Sequence, residues 1–176
     1  MTNFDKDIET ITPFLRQYNF RIAESSKDFV KYESEQAEIS VGYDERDQHY
    51  FTLIGNKIDN SISLDVVNLS DVFAYDIEIF IKQSFVDFFL NFFSTKGYNL
   101  LKGDLTKFNE LKRNRKERAE RYTKELIEQQ NLDAADNAWS LKNYSDFIRY
   151  LDLVEKRNLP NSYELKYSIA KNKLSN

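Results

Sequence analysis

Between Phe20 and Val67 the chain alternates apolar and polar residues, and only short polar stretches interrupt the alternation. The apolar members are Val30 and Tyr32, then Ile39, Val41 and Tyr43, then Phe51 and Leu53, then Ile62, Leu64 and Val66. A period of two is the signature of strands with one buried and one solvated face. The connections ESSKD, SEQ, DERDQ and NKIDNS are too short for a parallel crossover, which needs a dozen residues or more. The spacing therefore predicts an antiparallel meander of four or five strands, the fifth being Arg21 to Glu24 at its start.

A one-faced sheet has to be covered, and the chain on either side of the meander supplies helical patterns. Upstream, Phe4, Ile8, Ile11, Leu15 and Tyr18 recur at spacings of three and four. Thr12-Pro13 is read either as a cap followed by a first-turn proline or as a kink in one longer helix, and Asn19 as a left-handed C-terminal residue. Downstream, SFVDFFLNFFSTKGY places Phe85, Phe88, Phe89, Phe92 and Phe93 at i, i+3, i+4, i+7 and i+8. One long helix is expected from Ser70 or Asp71 toward Ser94, closed at Gly97 by a positive φ, with its five rings laid on the sheet. Fourteen Phe and eleven Tyr make aromatic burial the main source of core area.

Charge argues against an anionic-membrane role for the Phe stripe. Residues 71 to 95 carry Asp71, Asp76, Glu78 and Asp87 against Lys82, the reverse of a helix made for anionic lipid.

From Asp104 the pattern becomes a charged helix through Gln129, followed by two or three short helices starting near Asn143 or Ser145 and near Asn161 or Ser162, with Pro160 between them. The fold class is α+β, with a sheet domain over residues 1–103 and a helical extension over 104–176. Charge follows the same division: minus five over residues 1–60, minus three over 61–104 and plus four over 105–176.

Catalytic devices are scarce. With no Cys there is no thiolate chemistry and no cysteine metal site, and the single His49 has no companion ligand. The four glycines are scattered, so neither GxGxxG nor GxxxxGK[ST] occurs, and there is no GxSxG elbow. DERDQ lacks the alternating oxygens, central glycine and twelfth-position glutamate of a calcium loop. No catalytic residue, metal or cofactor is assigned. An enzyme would need carboxylates brought together from distant parts of the chain.

Two surfaces remain. Asp44, Glu45 and Asp47 form an acidic hairpin tip that can steer a basic protein, with Tyr43 and Tyr50 beside it as aromatic anchors. Lys112, Arg113, Arg115, Lys116, Arg118 and Arg121 form a basic run that serves a nucleic-acid alternative, although Glu117 and Glu120 interrupt it and the whole-chain pI is near 5.2. No apolar run spans a bilayer and MTNFDKDIET is not a signal peptide, so a cytoplasmic protein is expected.

Two resemblances add to this. Trp139, Tyr144, Phe147, Leu151, Val154 and Pro160 resemble the second half of a tetratricopeptide repeat, with Lys142 where that family prefers Gly and Phe147 where it prefers Ala. The resemblance implies a helical hairpin in the tail. FLRQYNFRI at 14–22, VKYESEQAEISVGYDERDQHYFTLIG at 30–55 and GYNLLKGDLTKFNEL at 97–111 resemble small bacterial α+β proteins of the polymorphic-toxin immunity type. That resemblance implies a non-enzymatic binder that occludes a partner toxin, and it carries over no functional residue.

Overall fold

The structure, a computed structural model, describes residues 3–56, 61–155, 159 and 161–175. Part of NKIDNS (57–60) and Pro160 lie outside the described residues. Helix α1 (Asn3–Arg16) leads into strands β1 (Arg21–Ser25), β2 (Phe29–Glu33), β3 (Glu38–Asp44), β4 (His49–Gly55) and β5 (Ile62–Ser63). They form one antiparallel sheet in the order β1-β2-β3-β4-β5, the expected meander with five strands. Helices α2 (Val66–Phe73), α3 (Ile77–Lys82), α4 (Phe85–Ser94), α5 (Tyr98–Leu101), α6 (Leu105–Ser140), α7 (Tyr144–Leu151) and α8 (Asn161–Leu174) follow. The chain packs as two compact units, Met1–Arg115 and Lys116–Asn176.

Helix α1 runs through Pro13 without ending. Pro13 and Glu9 are both exposed, so the carbonyl that loses its intrahelical donor lies on the solvent side. Thr12 is not a cap: its hydroxyl donates to the Ile8 carbonyl at 2.7 Å and lies 2.8 Å from the Tyr32 hydroxyl. Since Thr12 has one proton, Tyr32 is the donor, which satisfies a phenol that is otherwise buried. Asn19 takes φ 65, with its N–H on the Arg16 carbonyl and the Phe20 N–H on that of Leu15. This is a Schellman ending, and buried Leu15 and Phe20 supply its apolar contact.

The expected single helix toward Ser94 is three helices. Asp65, Asp76 and Ser84 act as N-caps, their side chains accepting from the N–H groups of Asn68, Glu78 and Asp87. Sequence periodicity treats Asp76 as polar relief on a helix surface, but short polar side chains compete for backbone donors and start helices instead. Val66, expected in a strand, begins α2, and Ala74 ends it at φ 47. Gly97 has φ −90 rather than a positive value; the left-handed glycine is Gly103, at φ 72. The Phe stripe keeps its structural task. Phe88, Phe89, Phe92 and Phe93 are buried in one cluster with Val30, Tyr32, Ile39, Val41 and Ile54 of the sheet and Ile11 and Leu15 of α1.

One strand faces the other way from the expected pattern. Tyr50, Thr52 and Ile54 of β4 point to the core, whereas Phe51 and Leu53 are half-buried on the opposite face. Both parities of HYFTLIG contain large apolar residues, and the inward one has a threonine at its centre. Hydrophobicity alone therefore selects the wrong face, and a one-residue slip reverses every side chain.

In the second unit α6 continues past the expected Gln129 to Ser140, so the tail has two further helices. Ala135, Ala138, Phe147, Leu151 and Ala170 form its core, with Trp139 and Tyr144 packed against them. Asn143 caps α7 by accepting the Asp146 N–H. Asp136 of α6 accepts from Tyr163 at 2.5 Å and from Lys166 at 3.0 Å, both on α8. Burial pushes the Asp136 carboxyl up, but these two partners outweigh it and hold the group below its ordinary value. Burial and the Asp136 bond push the Tyr163 hydroxyl up to about 12.

Lys142 ends α6 at φ 57, its N–H on the Trp139 carbonyl and the Asn143 N–H on that of Ala138. An L side chain is strained there, while glycine is not. Lys142→Gly is expected to stabilise the chain by about 0.5–1 kcal/mol, read as a rise of roughly 2 °C in thermal melting. An unchanged or lower melting temperature would show that the Lys142 side chain contributes more than its backbone costs.

Candidate functional site

The β3–β4 hairpin builds the acidic tip from its own sequence. Asp44 Oδ1 accepts the N–H groups of Arg46 at 2.9 Å and Asp47 at 3.2 Å, and Gln48 closes the turn at φ 53. An aspartate that binds the backbone two and three residues on is a standard turn former. It fixes the direction in which Glu45 and Asp47 project, and Glu45, Arg46 and Asp47 are all exposed. Glu45 pairs with Lys27 at 2.5 Å and, by that bond and its charge, raises the Lys27 ammonium above its ordinary pKa. Both partners are more than half exposed, so the pair contributes little to stability. Among the described residues no ion pair to Asp44 or Asp47 occurs.

Behind the tip the two tyrosines form a cross-strand pair, with ring centroids 4.8 Å apart. Tyr50 is half-buried. Its ring stacks on Phe85 of α4 at 4.2 Å and 9°, and its hydroxyl donates to Asp7 of α1. Burial and then the Asp7 carboxylate push that phenol well above its ordinary pKa. Tyr50 thus ties the hairpin to both covering helices. A cavity of about 330 Å³ lies beside the pair, lined by Asn3, Phe4, Lys27, Tyr43, Glu45 and Tyr50 among others. The structure therefore brings Tyr43, Glu45 and Tyr50 to one site and leaves Asp44 and Asp47 at the turn outside it. Asn3 and Lys27 come from distant segments, and no short motif points to them.

Ligand atoms of Asp44, Asp47 and His49 lie within 4.8 Å of one another, the only such group among the described residues. Asp47 and His49 are exposed and Asp44 is already engaged by two backbone donors, which is the chemistry of a solvated turn. The buried polar side chains among the described residues are Ser40, Thr52, Asn56 and Asn68, none of them a carboxylate. The paired buried carboxylates that an enzyme reading requires do not occur among them.

The basic run lies on α6. Lys112, Arg113, Arg115, Lys116 and Arg121 are exposed and Arg118 is half-buried. Lys116 meets Glu120 at 3.8 Å, and Lys112, Arg113, Arg118 and Glu117 also have partners. Cations interleaved with carboxylates around a helix make a solvated surface rather than one phosphate-tracking face. No helix among the described residues is long and apolar enough to cross a membrane. No protein-family profile, curated protein or solved structure matches the chain.

Proposed function

We propose that this chain is a non-enzymatic protein-binding module that docks through the β3–β4 end of its sheet onto a basic surface of another protein. The observation that carries the reading is the tip itself, where exposed carboxylates are held in a fixed turn and Asp44 and Asp47 lack a cationic partner among the described residues. Unpaired charge on a fixed turn speeds encounter with an oppositely charged partner and suppresses wrong ones. Tyr50, bonded to α1 and stacked on α4, keeps the hairpin in place as it docks, so little ordering entropy opposes binding. Occlusion of a toxin, as immunity and inhibitor proteins perform it, is the form of activity this suits. It would act in the cytoplasm, in keeping with a chain that has no cysteine.

The test is affinity capture from the source cells with the wild-type chain and with the Glu45→Lys, Asp47→Lys double variant, which leaves the turn-forming Asp44 in place. The expected result is a protein retained by the wild type at low salt and released as salt rises, and lost from the variant while its melting temperature is unchanged. Equal capture by both chains, or capture of nothing, contradicts the reading.

A further inference from the structure

The outer face of the sheet, opposite the helices, has its own composition. Strand register sets Phe29, Gly42 and Phe51 in one row across β2, β3 and β4, and Lys31, Ser40 and Leu53 in another row on the same face. Phe29, Phe51 and Leu53 are half-buried, yet none of them packs against the core cluster. Phe51 is covered in part by the sheet itself. The outer end of the Phe51 ring lies over Gly42, where an added Cβ would meet its Cζ at 2.1 Å.

Charge surrounds this strip. The same face carries Glu24, Glu33, Glu38 and Asp44 against Arg21 and Lys31, and Lys31 is shared between Glu33 at 3.3 Å and Glu38 at 3.1 Å. The strip runs up to the Asp44–Asp47 tip, so apolar surface and net negative charge are continuous. An apolar centre with a charged rim is the anatomy of a protein interface.

We propose that this outer face is the docking surface, and that its occupant is a basic protein that lays an aliphatic or aromatic side chain against Phe51 over Gly42. The proposal rests on the protein-binding reading above and names the surface and the partner's chemistry. Charge selects among occupants. A nucleic acid or an anionic membrane would meet carboxylates, and a second copy of this chain would bring two negative rims together.

The test places the photo-crosslinker p-benzoylphenylalanine at position 51, at 29, at the turn position 46, or at the exposed position 141 as control, in the full chain. Crosslinking is done in lysate of the source cells at about 50 mM and about 500 mM salt. The expected result is adducts at 51 and 29, not at 141, with a protein rich in surface Lys and Arg, lost at high salt. With that protein purified, Phe51→Thr should weaken binding about tenfold or more. Gly42→Ala, which displaces the ring without removing it, should weaken binding by less and serves if the Phe51 variant fails to fold.

Adducts at 46 but not at 51 or 29, or tight binding by the Phe51→Thr chain, would overturn the proposed face and leave the acidic-tip reading standing. Adducts at 51 with a second copy of the chain or with nucleic acid would overturn the proposed occupant. No adduct at 51, 29 or 46 would overturn both.

Discussion

Replacing Phe89 with Ala is expected to lower the free energy of unfolding by about 3–5 kcal/mol. The ring has no exposed surface and lies 4.6 Å from that of Phe93 and 6.0 Å from that of Phe85. Its neighbours are themselves large rings held in position by α4, by α1 and by the sheet, so the space it leaves closes poorly and the cavity cost adds to the lost transfer energy. In a chain of this length the loss should appear as a fall of roughly 10 °C or more in melting temperature. Calorimetry or far-UV circular dichroism would measure it. A fall of no more than about 2 °C would mean that the ring is not core.

Phe147→Ala should be as damaging to the second unit, for a different reason. Phe147 is fully buried, and its buried companions in that cluster are three alanines and Leu151. It is the largest of the buried side chains of the cluster, and its removal should again cost about 3–5 kcal/mol. A unit of about sixty residues has roughly 3–9 kcal/mol of stability in total, so the variant should unfold there at or near room temperature. The chain's single tryptophan reports on this directly, because the Trp139 ring lies 5.0 Å from that of Phe147. Trp139 emission should shift to the red in the Phe147 variant at 25 °C. An unshifted spectrum with wild-type melting would show that the alanines and Leu151 hold the unit together without the ring.

The meander, its strand order and the helical tail were legible because they follow from period and connection length, which are local properties. The Asn19 ending was legible for the same reason: a small polar residue after an apolar stripe is where a left-handed cap belongs. Competition between signals hid the rest. Asp76 and Ser84 could be helix-surface residues or caps, and only the backbone geometry shows that they end one helix and start the next. HYFTLIG offers apolar residues on both parities, so the face of β4 was decided by pairing with β3 and by the covering helices rather than by its own composition. Tyr50 was expected as a surface anchor. That Asp7 and Phe85 hold it depends on residues 43 positions before and 35 after it, which no local pattern brings together. The acidic tip itself was fully legible, being five consecutive residues.

In the proposed function the Phe stripe folds the protein and the sheet's acidic end binds its partner, two separable roles. Melting temperature and partner affinity, measured together for Phe89→Ala and for the Glu45→Lys, Asp47→Lys hairpin variant, distinguish the two. The effects should separate: the Phe89 variant loses stability but keeps its affinity at temperatures where it is folded, and the hairpin variant keeps its stability but loses affinity. A Phe89 variant that melts with the wild type and no longer binds would contradict the account, because the stripe would then be a groove rather than a core.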